Sequence, residues 1–474
     1  MRAGLTHFTP HMRVLSPEQI KDIHYAACEI LERTGIKIGV EKARDILHSH
    51  GCKVDGEIVR FPAYLVESGL RTAPERFVMC HRENDRKLFF ERGKSYFSPL
   101  VDNLFIIDPY TRERRQYLAK DATMMARLMD YTGHMDVLQV GGFAADMDPA
   151  IVDRNNVQEM MLNSRKAISF SCKDPEALLD IIEMAAIVAG GHEELKRNPY
   201  LLHLQEPISP LVYDHHAVEE LMLCAEHEIP IVYYPIPMGG ATAPATLAGI
   251  LAQNHAESMA GLALHQLIKP GAPFLYGGVP CSMDMRYMRT GYGSPELYIL
   301  ITALADMAHH FNLPFWGCGG CSIAGSFDEQ AAAEMAMSAL ISVLSGANLI
   351  HNTALLDQAT LTAPEGVLFC DDVASHAKHW IGQKIDITAE TLALDEIHRI
   401  GHGGNHLTSK HTRKHFKDFW VPQYFRNYAY KEDDVDFVAH LNTKVKKIIE
   451  THEVPPLPDD KLKQLKEYEK KWRR

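Results

Sequence analysis

From Ser95 onward the chain alternates between short apolar runs and longer stretches with apolar residues at every third or fourth position. The runs are Tyr96–Ser98 with Leu104–Asp108, Val137–Gly141, Ala167–Cys172, Tyr200–Leu204, Ile231–Tyr234, Pro273–Gly277, Pro314–Gly317 and Asn348–His351. Between them the helical period covers Ala119–Tyr131, Pro175–Ala189, Ala217–His227, Leu247–Ile268, Pro295–Phe311 and Glu329–Leu344. Runs that are apolar on both faces and separated by helices predict a parallel sheet covered on both sides. With Tyr96–Ser98 and Leu104–Asp108 taken as one element there are eight repeats. That number favours an α/β fold of the closed (β/α)8, or TIM-barrel, kind over an open doubly wound sheet. No Gly-x-Gly-x-x-Gly follows the first run, which argues against dinucleotide binding.

The first ninety residues have a different rhythm. Ser16-Pro-Glu-Gln opens a helix with an N-cap and a proline in its first turn, running to about Thr34, and a second helix covers roughly Val40 to His50. Short β-like pieces follow at Ile58–Phe61, Phe77–His81 and Leu88–Glu91. Residues 1–94 are therefore expected to form an α+β cap, residues 95–355 the barrel, and residues 356–474 a C-terminal extension packed on it. The extension carries an aromatic segment from Phe416 to Tyr430 and two polar helices near Val435–Glu450 and Asp459–Lys471.

Composition narrows the function more than the fold. The 474 residues are 46% hydrophobic and 23% charged, an ordinary globular balance with ample apolar material for a large core. A net charge of -12 leaves no basic excess to neutralise phosphates, so a nucleic-acid partner is not expected. The basic runs Lys444-Val-Lys-Lys and Lys470-Lys-Trp-Arg-Arg read as solvated helix faces. Nine irregularly spaced cysteines and an N-terminus without an apolar core point to reduced thiols in the cytoplasm. No stretch has the ~20 apolar residues needed to span a bilayer.

A barrel puts its active site at the carboxyl ends of the strands. Residues assigned to that mouth are Tyr96, Phe97, Phe170, Cys172, His203 to Glu206, Tyr233, Tyr234, Cys318 to Cys321 and His351. Glycine pairs after several runs, as in Tyr276-Gly-Gly and Cys318-Gly-Gly-Cys321, suit either tight turns or a mouth that admits something large. Cys318 and Cys321 form a lone C-x-x-C, half of a zinc site that His351 and Cys281 would have to complete. Tyrosine faces grouped at a mouth suit a quaternary ammonium ion, each contributing ~0.5–2 kcal/mol where water is excluded. Glu206 and Glu296 offer field for such a cation, or serve equally as capping and rim charges.

The segment Gly271–His351 carries a specific resemblance. Pro273-Phe-Leu-Tyr-Gly-Gly, Met283-Asp-Met, Gly293-Ser-Pro-Glu296, Leu313-Pro-Phe-Trp, Gly319-Gly-Cys321-Ser and Ser345-Gly-Ala-Asn-Leu-Ile-His351 resemble the trimethylamine methyltransferase family in order and spacing. Lys166-Ala-Ile-Ser-Phe-Ser171 and Glu206-Pro-Ile-Ser-Pro-Leu are similar too, and the likeness covers nearly the whole chain. Founding members hold pyrrolysine, a covalent anchor for a free methylamine, where this chain has Cys321. The resemblance therefore implies a non-pyrrolysine member that demethylates a quaternary amine, with glycine betaine first and proline betaine, carnitine or γ-butyrobetaine as others. The methyl group would pass to Co(I) of a corrinoid carried by a cognate partner protein, and no tightly bound cofactor or metal is expected in this chain.

Roles follow from that implication. Tyr96, Phe97, Phe170 and Tyr234 would cage the cation, with Glu206 as counter-charge and Glu296 nearby. His351 would stand near the methyl-transfer axis or the substrate carboxylate, or remain a barrel histidine bonded to backbone. Arg286, Arg289 and Tyr292 would clamp a betaine carboxylate or meet the corrinoid protein, unless the arginines are solvated loop charges. A homo-oligomer is expected. The competing readings are a zinc-dependent methyltransferase or hydrolase using Cys318, Cys321 and His351, and a non-catalytic betaine-binding protein.

Overall fold

The computed structural model describes residues 11–139, 141–382, 385–428 and 436–473. Val140, Tyr430 and Val435, and the amino-terminal stretch before His11, lie outside the described residues. Eight strands carry the fold: β1 (Tyr96–Pro99), β2 (Val137–Leu138), β3 (Ala167–Phe170) and β4 (Leu201–Gln205), then β5 (Ile231–Tyr233), β6 (Phe274–Gly277), β7 (Phe315–Cys318) and β8 (Leu349–Thr353). Each pairs in parallel with its sequence neighbour, and β8 returns to β1 through Leu349 opposite Tyr96 and Ile350 opposite Phe97. A bridge between Phe97 and Met135 joins β1 to the approach of β2, so the sheet closes into a (β/α)8 barrel.

Eight helices wrap it: α1 (Ala119–Tyr131), α2 (Val152–Asn163), α3 (Pro175–Ala189), α4 (His215–His227), α5 (Leu247–Ile268), α6 (Pro295–His310), α7 (Glu329–Ser345) and α8 (Pro364–Gly382). Most begin on a side-chain cap; Asp174, Asp214, Thr246, Ser294 and Asp328 each accept from a backbone N–H in the first turn. Neither α2 nor α8 follows from apolar periodicity. The inward face of α2 carries Arg154, Asn155, Asn156 and Gln158, polar residues that are nevertheless buried, and this hides its apolar stripe. Helix α8 lies in the stretch read as extension, yet it packs against α7 and α1.

The run Leu104–Asp108 does not continue β1. Phe105–Ile107 leaves the barrel and pairs with Leu361–Thr362 and Arg114–Gln116 in a separate sheet above the mouth. A second small sheet, Met238–Gly239 with Cys281–Asp284 and Arg289–Thr290, forms a flap on the same side.

At the amino end, Pro17–Arg33 starts on a capping box in which Ser16 and Gln19 exchange side-chain bonds to each other's backbone N–H. This helix and Ala63–Thr72 lie across α5. Cover from both sides explains why α5 is apolar around most of its circumference and buried from Ile250 to Gln266. The strand Ile36–Ile38 pairs with Val212–Tyr213 from the loop after β4, tying the first hundred residues to the barrel. At the other end Phe437–Thr451 packs on α8 and α1, and Asp459–Trp472 packs on α3. No helix among the described residues is long and apolar enough to cross a membrane.

Candidate active site

The carboxyl ends of the strands converge on a mouth whose floor is a polar and aromatic stack. His351 of β8 lies with its ring centroid 5.1 Å from Trp316 of β7, and Trp316 lies 4.6 Å from Tyr234 just past β5. The His351 Nδ1 is 2.7 Å from Asn352 Oδ1, and its Nε2 is 2.8 Å from Gln139 Oε1. Burial pushes the imidazole down to about 4, so the ring is neutral at pH 7. Asn352 gives its own N–H to Cys318 Sγ at 3.3 Å, which leaves its oxygen to accept from His351 Nδ1.

Beside this floor stand two carboxylates, Asp102 in the loop after β1 and Glu206 at the end of β4. Both keep exposed side chains, and both stand amid dense surroundings that raise their carboxyls. Asp102 accepts from the Ser171 hydroxyl and from Gln139, but burial outweighs these bonds and raises its carboxyl. Glu206 is pushed up to about 7 by burial, and among the described residues no side chain bonds to its carboxylate. Asp153 of α2 is likewise raised to about 7, by burial first and then by the Asp102 charge. Tyr234 is lifted well above the usual phenol range by burial, with the Glu206 and Asp102 charges adding to it. Tyr292 is fully enclosed and is also raised, by burial and then by Cys318, Cys281, Cys321 and Glu206. The rings of Tyr234 and Tyr292, these carboxylates and the His351 imidazole thus meet at one end of the barrel.

A model of the trimethylamine methyltransferase (MTTB) family matches residues 2–474. The chain belongs to the trimethylamine methyltransferase family. It is 31% identical over 450 residues to a trimethylamine methyltransferase of Desulfitobacterium hafniense strain DCB-2, covering 94% of this chain and 90% of that protein. It is 30% identical over 462 residues to a glycine betaine methyltransferase of strain Y51, covering 96% and 95%. The crystal structure of the Methanosarcina barkeri monomethylamine methyltransferase shares the fold, with a TM-score of 0.54, 11% identity and cover of 98% of this chain and 89% of that one. The chain is a methyltransferase of the class that methylates a corrinoid protein.

Within this trimethylamine methyltransferase fold, Glu206, Tyr234, Tyr292, His351 and Cys321 come together at the mouth. The others do not. Tyr96 and Phe97 stand at the amino end of β1, where the Tyr96 hydroxyl accepts from Phe89 N–H at 2.9 Å and Phe97 N–H bonds to Asp136. Ser169 turns into the barrel to meet Ser98 and Gln139, so its neighbour Phe170 turns outward against the His203 ring, 5.1 Å away. Arg286 is 80% exposed on the flap and forks onto Asp284, while Arg289 lies 3.5 Å from Asp357. Glu296 sits exposed in the first turn of α6, where a carboxylate complements the helix N-terminus. Asp102 and Gln139 are mouth residues to which the sequence pattern assigns no role, and Trp316 is a strand-end aromatic buried in the floor. The neighbouring apolar run Leu104–Asp108 masks the loop that carries Asp102.

The glycines of Cys318-Gly-Gly-Cys321 make a turn and not an opening. Gly320 has φ +77°, and a Cβ on Gly319 would lie 2.8 Å from Ser338 O. The turn leaves the two thiols 3.7 Å apart and buried, with Cys321 pushed well above the usual thiol range by its contact with Cys318 and by burial. Cys321 is not poised as a nucleophile. The zinc reading fails on geometry, since both His351 nitrogens are engaged by amides and the three side chains do not converge. The one convergent group of three among the described residues is Cys172, His203 and Glu220, in which His203 Nε2 lies 3.0 Å from Glu220 of α4.

Proposed function

We propose that the chain demethylates a quaternary amine at this mouth and passes the methyl group to Co(I) of a corrinoid on a separate partner protein. The observation that carries the reading is the grouping of the Glu206 and Asp102 carboxylates about Tyr234, whose ring lies on Trp316. A quaternary nitrogen cannot donate a hydrogen bond, so ring faces and through-space carboxylates are what can hold it. In the transfer one N–CH3 bond breaks and its electron pair stays on nitrogen, releasing a neutral tertiary amine. The cobalt supplies the electron pair for the new bond to carbon. No proton moves, so the enzyme needs no general acid. Its task is to bind the cation, exclude water and aim one methyl group outward. Cys321, at the position of the family's pyrrolysine, cannot hold a free methylamine covalently, which favours a substrate whose nitrogen is already charged. Among the betaines glycine betaine is the simplest, and proline betaine, carnitine and γ-butyrobetaine share its head group.

The flap tip supports a partner at this end of the barrel, because Met285, Tyr287 and Met288 are 61%, 72% and 65% exposed. Self-association is supported by the segment from Ile385 to Val421, where Ile385, Leu407 and Phe419 are 89%, 83% and 75% exposed. Nine buried free thiols suit a reducing cytoplasm. The deciding experiment incubates the enzyme with a reduced corrinoid protein and a panel of amines while following loss of Co(I) absorbance. Methylation from quaternary amines supports the reading; activity on trimethylamine and on no quaternary amine would sink it.

A further inference from the structure

On the outer face of the barrel wall lies a polar group that methyl transfer does not use. Register sets Phe170 of β3 opposite His203 of β4, and both side chains turn away from the barrel axis. Helix α4 closes over them with Glu220, whose Oε2 lies 3.0 Å from His203 Nε2. Cys172, two residues past Phe170, brings its thiol to the same place, and one ligand atom from each of the three lies within 4.8 Å of the others. The side chains of His203 and Glu220 are 0% exposed, and Cys172 is buried as well.

The His203–Glu220 pair is not complete in itself. His203 Nδ1 and Glu220 Oε1 are both shut from solvent, and neither has a hydrogen-bond partner among the described residues. Buried polar atoms are nearly always partnered, so two orphans on adjoining side chains need an account. A metal ion supplies one. Donors bound to a tetrahedral zinc at ~2.0 Å for nitrogen or oxygen and ~2.3 Å for sulfur stand roughly 3.3–3.6 Å apart. The 3.0 Å and 4.8 Å separations here bracket that spacing, so small shifts of side chains would close the set. A thiolate beside an imidazole suits zinc, whereas magnesium and calcium take oxygen donors. Cys224 is fully buried one turn after Glu220 on the same face of α4, where it offers a fourth donor.

We propose that Cys172, His203 and Glu220, with Cys224 as the fourth ligand, hold a structural zinc ion. This set shares no residue with Cys318, Cys321 and His351. On binding, the cysteine thiols release their protons to solvent and coordinate as thiolates. The ion is enclosed by protein and pins the loop after β3 and the end of β4 to α4. Ser171, which holds Asp102, precedes Cys172, and Glu206 follows His203 by three residues. Zinc therefore braces from behind the segments that position the mouth carboxylates.

The test grows the full-length protein with zinc in the medium, counts zinc per chain after gel filtration, and locates it by anomalous scattering at the zinc edge in wild-type crystals. About one zinc per chain is expected, with its anomalous peak between Cys172, His203 and Glu220. Cys172→Ser should lower the zinc content by ~10-fold or more, while Cys318→Ser leaves it unchanged. A wild-type chain that takes up no zinc, even when zinc is added after purification, overturns the proposal. So does a peak at any other position, or a folded Cys172→Ser chain that keeps its full zinc. The position is read from the wild type, so a variant that fails to fold leaves the decision intact. The amine reading of the mouth rests on other side chains and survives either result.

Discussion

In the seam between the amino-terminal helix and α5, three buried polar side chains form a chain with no gap. His24 Nδ1 meets His255 Nε2 at 2.9 Å, His24 Nε2 meets Glu67 at 2.9 Å, and His255 Nδ1 meets the Tyr276 hydroxyl at 2.9 Å. Phe311 stacks on His255 at 5.5 Å, and the only carboxylate of the chain, Glu67, is 47% exposed and keeps its water. At the mouth both His351 nitrogens likewise meet amide oxygens and Asp102 is held by Ser171 and Gln139, but Glu206 has no such partner among the described residues. Glu206 keeps an exposed carboxylate, to which no side chain among the described residues bonds. Seams are built to be complete, because an unpaired buried group costs stability. A site that must receive a cation is left incomplete in one specific charge.

Substitutions can break this contrast, and the largest effect should come from Glu206→Gln. Loss of the counter-charge should lower kcat/KM for a quaternary ammonium by ~100-fold, while urea denaturation shows stability unchanged or slightly raised, since no side chain among the described residues bonds to that carboxylate. A clear loss of stability with intact activity would reverse the roles assigned to seam and mouth. The same variant has a pH signature. With its carboxyl at about 7 in the folded protein against 4.5 ordinarily, Glu206 holds a proton between those values that the unfolded chain has released. Wild-type stability should therefore fall as pH rises through that window, while kcat/KM for a cation rises toward and past pH 7. Both slopes should flatten in Glu206→Gln; an activity limb that persists belongs to Asp153, which titrates at about 7 too.

His24→Leu tests the seam. It leaves His255 Nε2 without its partner in a closed space and should cost about 2 kcal/mol in denaturant unfolding, with kcat/KM held within about twofold. Tyr234→Leu comes next, raising KM for a quaternary ammonium by ~10-fold as one ring face is lost. Arg286→Ala should be the mildest, changing kcat/KM by less than ~2-fold for monocation and betaine alike, because an exposed ion pair contributes little. A selective loss for a betaine would show that the flap does reach its carboxylate.

The barrel itself was legible because parallel strands are apolar on both faces and leave unbroken runs such as Ala167–Phe170 and Phe274–Gly277. What periodicity does not encode is direction and parity within so short a run. Tyr96 and Phe170 belong to the right strands, yet one stands at the wrong end and the other on the outer face. Helix α2 escaped notice because Arg154 and Asn156 are buried by bonding to Asp180 and to Gly142 O, contacts that exist only after the chain has folded. Glu206 and His351 were visible as polar residues interrupting apolar runs. Asp102 carried the same signal, but a neighbouring run masked the loop it sits in.

The return of β8 to β1 also bears on how the protein is made. Asp102 hangs from the first strand, His351 is part of the last, and the sheet above the mouth joins Phe105–Ile107 to Leu361–Thr362 across the same closure. Until residues some two hundred and fifty positions apart have met, none of these groups has its neighbours, and that search is the slowest kind of contact for a chain to form. A ribosome-bound or half-assembled chain thus has no pocket to offer. Competence for methyl transfer arrives in one step, with the final strand.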